Sequence, residues 1–193
     1  MKKQQNYINT YLALVKKVIA RIDTAEIEAV ISLLVNLKKR GGRLFLLGVG
    51  GSAANCSHAV NDFRKICRIE AYAPTDNVAE LTARTNDDGW DTVFIKWLEV
   101  SHLSKNDMVF VLSVGGGIFE KNISPNIIKA LEFAQKVGTS IVGIVSRDGG
   151  YTRKVATASI LIPVREADFI TPLAESFQAI IWHLIVTHPK LRD

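Results

Sequence analysis

Short apolar runs recur along this sequence and alternate with longer segments of helical periodicity. The runs lie at positions 43–47, 108–112, 140–145 and 159–164, and a further strand is predicted around 68–72. Continuous apolar runs of this length are typical of parallel strands buried on both faces. Helical segments lie between and after them, at 53–65, 92–103, 126–137 and 173–186. The alternation predicts an α/β fold with right-handed crossovers and a mostly parallel sheet covered by helices on both faces.

Residues 1–40 differ from the rest, because their apolar side chains follow a helical spacing without any strand-like run. One helix is predicted up to Ile22, and a second begins after Asp23 and Thr24, which are typical of a break and an N-cap. Gly41 and Gly42 end the second helix. We expect this helical pair to pack on the sheet or on a neighbouring subunit.

Composition excludes several classes of protein. Of the 193 residues, 48% are hydrophobic, which suits a globular domain with its own core. No apolar run approaches the roughly 20 residues of a membrane span, and we see no signal peptide. Cys56 and Cys67 are not spaced as a redox pair, so we expect free thiols and a cytoplasmic location. The net charge of +5 is dispersed, which argues against nucleic-acid binding and suits small phosphorylated substrates.

Parallel sheets bind ligands beyond the carboxyl ends of their strands, so the loops there are candidate sites. The first loop holds Gly48, Gly50 and Gly51, followed by Ser52, and it leads from a strand into a helix. Glycines let the backbone approach an anion closely, and a helix N-terminus offers free N–H groups. A tight turn in which Ser52 caps the helix is an equally good interpretation.

A second candidate loop runs from Ser113 to Ser124. Its three consecutive glycines, 115–117, are costly in conformational entropy unless the backbone wraps around something, so we favour contact with a ligand. Lys121 offers a positive charge for a phosphate, and a solvated lysine is an equal alternative. Ser124 is predicted as the N-cap of a helix with Pro125 at its first position.

Polar residues in helical segments offer further chemistry. His58 and Asp62 are four residues apart and therefore share a helix face, and Glu175 and His183 stand in an otherwise apolar segment. Histidine beside carboxylate suits proton transfer or a divalent metal ion. From spacing alone, a helical ion pair and a core histidine are favoured over a proton-transfer pair or a metal site. The Asn-Asp-Asp-Gly stretch at 86–89 is predicted to form a turn.

Taken together and in this order, these features resemble the sugar isomerase (SIS) domain family. The resemblance rests on Gly50-Gly51-Ser52 with His58 and Asp62 downstream, on the Asn-Asp-x-Gly stretch, on the Ser/Gly loop, and on Glu175 followed eight residues later by His183. It covers nearly the whole chain and is strongest for the phosphoheptose isomerases. It implies a single SIS domain over residues 1–193, a flavodoxin-like three-layer α/β/α sandwich with a five-stranded parallel sheet and N-terminal helices.

The same resemblance implies an activity and its residues. The activity is aldose–ketose isomerisation of a sugar phosphate, in this branch from sedoheptulose 7-phosphate to D-glycero-D-manno-heptose 7-phosphate through an enediol(ate). Asp62 and His183 are implied as catalytic residues, and a zinc ion is implied at His58, Asp62, Glu175 and His183. Homotetramers with active sites between subunits are implied as well. The substrate-contacting candidates, with Lys121 added for its charge, are Val49, Gly50, Gly51, Ser52, Asp62, Asn86, Asp87, Ser113, Val114, Gly115, Lys121, Ser124 and Glu175.

The sequence departs from the family pattern at several of these positions. Val49, Asp62 and Glu175 stand where the family usually has Asn, Glu and Gln. Val114 and Gly115 replace two residues of a phosphate loop that is normally rich in serine, and an insertion precedes the last serine. Each lost hydroxyl removes a hydrogen bond to a charged group, worth about 1.5–3 kcal/mol.

Alternatives therefore remain beside the isomerase. The altered loop favours a non-catalytic SIS protein that senses a phosphosugar or holds a protein partner, whereas the retained His58, Asp62 and His183 favour the enzyme. A different aldose–ketose pair is a third alternative. Eight residues of helix span about 12 Å, so Glu175 and His183 share one metal only if Glu175 precedes the regular helix or if another subunit contributes.

Overall fold

Five parallel strands form the centre of the fold. The computed structural model describes the backbone of residues 2–192 and the side chains of residues 6–192. The strands are β1 (Leu44–Leu47), β2 (Ala71–Tyr72), β3 (Met108–Ser113), β4 (Ser140–Val145) and β5 (Ala158–Leu161). They pair in the order β2-β1-β3-β4-β5, so the strand order reverses between β1 and β3. The two glycine-rich loops follow these two strands and therefore lie at the switch point, where doubly wound sheets bind ligands.

Helices cover both faces of this sheet. Those of the described residues are α1 (Lys2–Ile19), α2 (Thr24–Lys39), α3 (Gly51–Lys65), α4 (Val78–Asp88), α5 (Val93–Val100), α6 (Pro125–Val137), α7 (Gly150–Val155) and α8 (Ile170–Thr187). Leu44 and Leu46 of β1 belong to a buried cluster shared with α1, α2, α3 and α8, whereas Phe45 and Leu47 belong to a second cluster shared with α5 and α6. The predicted α/β fold is confirmed.

The N-terminal helices contribute to the larger of these clusters. Leu14 and Val18 of α1 are buried in it, together with most of the apolar face of α2. As predicted, α2 begins after Asp23, whose Oδ1 accepts a hydrogen bond from the backbone N–H of Ala25 at 2.8 Å. Other apolar side chains of α1 remain exposed, namely Tyr7, Ile8, Leu12 and Ile19.

The sequence pattern misses α4 and α7, and the reason is clear for α4. This helix has no buried residue, so it shows no apolar face to detect. Polar contacts stabilise it: the side chain of Asn77 accepts a hydrogen bond from Glu80 N at 3.2 Å, and Glu80 pairs with Arg84 one turn later. The turn predicted at 86–89 is wrong, because residues 86–88 belong to the last turn of α4 and Gly89, at φ 85°, ends the helix.

One segment, Ala167–Thr187, is long and apolar enough to cross a membrane by length and composition alone. Polar residues interrupt it, so it contains no long apolar run. In the fold, most of this segment is α8, which buries Phe177 and Trp182 against the sheet. A helix at the core of a globular fold passes the same test, and packing explains its apolar character. Cys56 and Cys67, predicted as free thiols, are both free and buried, and burial raises the pKa of the Cys56 thiol far above its ordinary value.

An arginine and an aspartate brace the amino ends of β1 and β3. Asp107 accepts hydrogen bonds from the backbone N–H and side chain of Arg43 at 2.8–3.1 Å, and from the backbone N–H and hydroxyl of Ser104 at 2.9 Å. Arg43 also donates to the carbonyls of Ser101 and His102, each at 3.0 Å. Burial, the largest influence, raises the pKa of Asp107, but the hydrogen bonds outweigh it and hold that pKa below its ordinary value.

Candidate functional site

Two packed helices bring three of the predicted site residues together, and we call them the His–Asp–His group. His58 and Asp62 lie one turn apart on α3, and His183 lies beside them on α8. The Nε2 atoms of His58 and His183 are 3.9 and 3.7 Å from the same carboxylate oxygen, Asp62 Oδ2. The two imidazole rings stand nearly perpendicular, with centroids 5.3 Å apart.

Within this group the carboxylate is shielded while the imidazoles face solvent. The side chain of Asp62 is 13% exposed, against 59% for His58 and 48% for His183. Asn61 Nδ2 donates to Asp62 Oδ1 at 2.9 Å, which leaves Oδ2 for the imidazoles. The buried ring of Trp182 supports both histidines, with its centroid 3.5 Å from that of His183 and 4.7 Å from that of His58.

A single hydrogen bond decides which nitrogen of His183 carries the proton in the neutral ring. Nδ1 lies 2.7 Å from the backbone carbonyl oxygen of Ala179. A carbonyl oxygen only accepts, so Nδ1 is the protonated nitrogen and Nε2 of the neutral ring carries a lone pair. Because Nε2 faces Asp62, His183 is able to accept a proton or bind a metal ion at that atom.

The donor set of the His–Asp–His group fits a zinc ion. One ligand atom from each residue lies within 4.8 Å of the other two. Zinc binds histidine nitrogen and carboxylate oxygen at about 2.0–2.2 Å, and three protein ligands leave a fourth position for substrate. The bond from His183 Nδ1 to a backbone carbonyl is the support that metal-bound histidines usually have.

Glu175, the fourth predicted metal ligand, does not join this group. It lies within the regular part of α8, and the eight residues to His183 correspond to about 12 Å along the helix. Its carboxylate covers Gly51 instead, where a Cβ would lie 2.4 Å from Glu175 Oε2. The start of a helix favours negative charge, which suits this position. Within one protomer, the structure therefore brings three of the four predicted ligands together and leaves Glu175 apart.

A cavity of about 320 Å³ lies at the switch point of the sheet, and we call it the loop cavity. The loops after β1, β3 and β4 and the start of α8 form its wall. Seven of the predicted substrate-contacting residues line it: Val49, Ser52, Ser113, Val114, Gly115, Lys121 and Ser124. Four residues that were not predicted complete the lining: Ile118, Ile123, Arg147 and Thr171.

Serine hydroxyls in the loop cavity are available to a ligand. The N-cap of α3 is Gly50, so Ser52 does not cap it, and Ser124 stands at the N-cap of α6 without a side-chain cap bond. Ser124 thus occupies the predicted N-cap position without a capping hydrogen bond, and the alternative in which Ser52 caps α3 is wrong. Ser113 Oγ accepts from Gly116 N at 3.0 Å, which leaves its own hydrogen free to donate.

The run of three glycines is explained mainly by packing between two loops. A Cβ on Gly116, which has φ 68°, would lie 1.9 Å from the carbonyl oxygen of Gly149. The carbonyls of Gly116 and Gly117 accept hydrogen bonds from Thr152 N and Tyr151 N, each at 2.8 Å. The backbone therefore wraps the first turn of α7, and Gly115 is the glycine of this run that lines the loop cavity.

The residues between the glycines and Ser124 form a small closed loop. Ile118 and Ile123 exchange two backbone hydrogen bonds of 3.0 and 3.1 Å, and a 3₁₀ turn at Phe119–Lys121 lies between them. Lys121 belongs to this turn and lines the loop cavity.

Asn86 and Asp87 lie elsewhere. Both are exposed on the last turn of α4, and Asn86 Nδ2 donates to Asp87 Oδ1 at 2.8 Å. Neither residue lines the loop cavity, and neither belongs to the His–Asp–His group. Within one protomer, the structure does not bring these two candidates to the others.

Sequence reasoning missed Arg147 and Thr171. Arg147 follows β4, at the same edge of the sheet as the two glycine-rich loops, so its position was a usable signal. Thr171 comes a few residues after β5 and a 3₁₀ turn, and nothing in its local pattern marks it.

The loop cavity and the His–Asp–His group are separated along the two helices that both share. Ser52 lines the cavity and Asp62 lies ten residues later on α3, which corresponds to about 15 Å. Thr171 and His183 are twelve residues apart on α8, about 18 Å. In a single protomer these are two neighbouring sites on one pair of helices.

Comparison with known proteins gives consistent results. A family model described as the SIS domain matches residues 6–146. The chain is 32% identical over 164 residues to a phosphoheptose isomerase of Citrifermentans bemidjiense, which covers 82% of this chain and 80% of that protein. It is 28% identical over 185 residues to a phosphoheptose isomerase of Aliarcobacter butzleri, covering 92% and 94%. Its fold is similar to phosphoheptose isomerase GmhA from Neisseria gonorrhoeae, with a TM-score of 0.82, 21% identity and coverage of 95% and 97%.

Proposed function

This chain belongs to the SIS domain family, and from that premise we propose that it is a sugar phosphate isomerase that converts sedoheptulose 7-phosphate to D-glycero-D-manno-heptose 7-phosphate. Relatives about 30% identical over most of the chain are phosphoheptose isomerases, which supports this substrate. The observation that carries the proposal is the His–Asp–His group, in which a shielded carboxylate oxygen lies 3.7 Å from the accessible imidazole nitrogen that carries the lone pair in the neutral ring.

The isomerisation moves a hydrogen from C1 to C2 of the ketose and a proton from O1 to O2. In our proposal, His183 Nε2 removes the proton from C1, next to the C2 carbonyl, and an enediol(ate) forms. The imidazolium then returns that proton to C2. Asp62 stabilises the imidazolium and carries the other proton from O1 to O2. Positioned acid–base groups of this kind typically contribute about 10²–10⁴-fold in rate.

As an alternative to proton transfer at His183 Nε2, we propose that the His–Asp–His group would hold a zinc ion. When bound, it supplies a Lewis acid that polarises the carbonyl. His183 Nε2 cannot bind an ion and receive the substrate proton at the same time. Measuring activity in the presence of a chelator therefore distinguishes these two roles. Activity that is lost in EDTA and restored by zinc supports the metal, whereas unchanged activity supports proton transfer by His183. Calorimetry with zinc alone, comparing the parent with His58→Ala, reports on the site independently of turnover.

We also propose a homotetramer whose active sites lie between protomers. The loop cavity suits the phosphate end of the substrate, but the His–Asp–His group of the same chain is about 15 Å away along α3. The cavity of one protomer beside the His–Asp–His group of another would bring both ends of the substrate into one site. Exposed apolar side chains on two helices support such contacts. They include Leu12 on α1 and Ile180 and Leu184 on α8.

Measuring the mass in solution tests the assembly. Leu184→Glu is expected to lower both the oligomer mass and the activity, since it places a charge next to His183 on the exposed apolar face. Val100→Glu, at another exposed apolar position (64%), is the control and is expected to leave both unchanged. A parent chain that is an active monomer would contradict the interface.

The proposal also places the enzyme in the cytoplasm, where the two buried free thiols would remain reduced. The non-catalytic alternative is not favoured, because a protein that only binds phosphosugars has no need for two histidines and a carboxylate held this close. The decisive experiment incubates the purified protein with sedoheptulose 7-phosphate and follows the anomeric signals of an aldoheptose phosphate by NMR. Absence of product, with and without zinc, would contradict the proposed function.

A further inference from the structure

We propose that Arg147 is the main phosphate-binding residue of the loop cavity and that it makes the protein select phosphorylated over unphosphorylated sugars. The inference rests on the proposed function and adds to it a residue that the sequence analysis did not identify. Arg147 lines the cavity together with Lys121, Ser113 and Ser124. Its side chain therefore borders the space that the two glycine-rich loops enclose.

Arg147 has no partner of its own. Its guanidinium makes no hydrogen bond or ion pair with any residue that the structure describes, whereas Arg43, Arg84 and Arg153 each pair with a carboxylate. The adjacent acid, Asp148, does not neutralise it, because the Asp148 carboxylate accepts from Gly150 N at 3.1 Å and lines a different cavity. All five N–H donors of Arg147 are therefore available to a ligand.

The backbone fixes Arg147 in an unusual conformation. Its φ of 57° lies in the left-handed region, which residues with a side chain rarely adopt. The preceding residue, Ser146, is fully buried and is tied to both neighbouring loops: its N–H donates to Val114 O at 3.1 Å and its hydroxyl donates to Ile162 O at 2.9 Å. The turn closes with Gly149 N donating to Ser146 O at 2.9 Å. This anchoring fixes the backbone from which the Arg147 side chain extends.

The charges around Arg147 match a phosphate monoester. Lys121 and Arg147 are the charged side chains of the cavity lining, and no acidic residue lines it. A phosphate monoester carries nearly two negative charges at neutral pH, and the planar guanidinium donates to two of its oxygens at once. The Arg147 side chain also lies across Gly115, with Cδ 3.8 Å from where a Cβ would stand, which brings it over the loop that follows β3.

Replacing Arg147 by glutamine tests the inference, because glutamine keeps much of the side-chain length and meets the same backbone strain without the charge. Arg147→Lys keeps the charge but loses the planar guanidinium that donates to two oxygens at once. Arg21→Gln, at an exposed site outside the cavity, is the matched control. Binding of inorganic phosphate is measured by calorimetry at two salt concentrations. Kinetics are measured with sedoheptulose 7-phosphate.

For Arg147→Gln we expect at least a tenfold weaker Kd for phosphate, a smaller salt dependence and at least a tenfold higher KM, with kcat changed less than threefold. Arg147→Lys should fall between Arg147→Gln and the parent, and Arg21→Gln should match the parent. Equal phosphate binding by Arg147→Gln and the parent, or no saturable binding by the parent, would overturn the inference. Because the binding assay needs no turnover, a parent that binds phosphate through Arg147 but does not isomerise the sugar would contradict only the proposed function.

Discussion

The two ends of the parallel sheet each hold an arginine, and they use it in opposite ways. Before β1, Arg43 is bound by Asp107 and by two backbone carbonyls. After β4, Arg147 has no partner among the described residues and faces the loop cavity. The same side chain thus completes a hydrogen-bond network at one end and leaves its donors free at the other.

Two aspartates also differ in how fully their hydrogen-bonding capacity is used. Asp107, with a side chain only 3% exposed, accepts five hydrogen bonds from Arg43 and Ser104. Asp62 accepts one, from Asn61, while the nearest nitrogens of His58 and His183 stay at 3.7–3.9 Å, beyond hydrogen-bond length. We conclude that Asp107 is satisfied internally and contributes stability, whereas Asp62 keeps a carboxylate oxygen available for a ligand, as Arg147 keeps its donors.

The largest expected effect concerns the His–Asp–His group. His183→Ala should lower kcat by about 10²–10⁴-fold, because it removes the proposed proton carrier. The free energy of unfolding should change little, since the side chain is about half exposed. Steady-state kinetics and denaturant unfolding measure the two quantities. His102→Asn, away from both sites, is the control, and a variant that keeps parental activity would remove His183 from the mechanism.

At the amino end the opposite pattern is expected. Asp107→Ala should lower the free energy of unfolding by about 3 kcal/mol, because it leaves Arg43 and the backbone N–H groups of Arg43 and Ser104 without their acceptor. Activity per folded molecule should remain unchanged. Asp91→Ala, which breaks an exposed pair with Lys129, is the matched control and should cost at most about 1 kcal/mol. Equal losses in the two variants would mean that the brace adds nothing beyond a surface ion pair.

The stability of Arg147→Gln sharpens the contrast between the arginines. Since the guanidinium of Arg147 has no partner to lose, the free energy of unfolding should stay within about 0.5 kcal/mol of the parent. The same substitution at Arg43 should destabilise the protein clearly, because it removes donors to Asp107 and to two carbonyls. Chemical denaturation of both variants, without phosphate, makes the comparison, and a large loss at position 147 would show a structural role there.

The smallest effect is a dependence on acid pH. The folded pKa of Asp107 is lowered, so its contribution to stability is fully present above the ordinary carboxyl pKa of 3.8 and is lost as the pH falls through the lowered folded value. The stability difference between the parent and Asp107→Asn should therefore narrow in acid. Unfolding measured between pH 7 and pH 3 checks this, and a constant difference would contradict it.

The sequence predicts those parts of the fold that bury a regular apolar pattern. The run at 108–112 becomes β3 with only Ser113 added, because both faces of that strand are covered. The helix α4 escapes prediction because none of its residues is buried, and its polar caps and ion pair leave no periodic signal. Local patterns place Ser124 correctly at the N-cap of α6 but do not tell whether its hydroxyl caps the helix or faces a cavity, and for Ser52 they leave the same two alternatives.

Within the site, residues on one helix were easier to predict than residues joined by tertiary packing. His58 and Asp62 share a face by spacing alone. The approach of His183 and the displacement of Glu175 towards Gly51 depend on how α8 lies against α3, which no local pattern encodes. Arg147 escaped because a single exposed arginine in a turn looks like ordinary surface until the cavity beside it is seen.

The closed loop between Ile118 and Ile123 has a consequence for changing the substrate. Its base is fixed by two backbone hydrogen bonds, and its tip carries Lys121 over the cavity. The entropy of closing such a loop grows slowly with length, by about 0.6 kcal/mol for each doubling. Residues can therefore be added or removed at the tip to change the space that the loop leaves for the sugar. The strands, α7 and the histidines would keep their places.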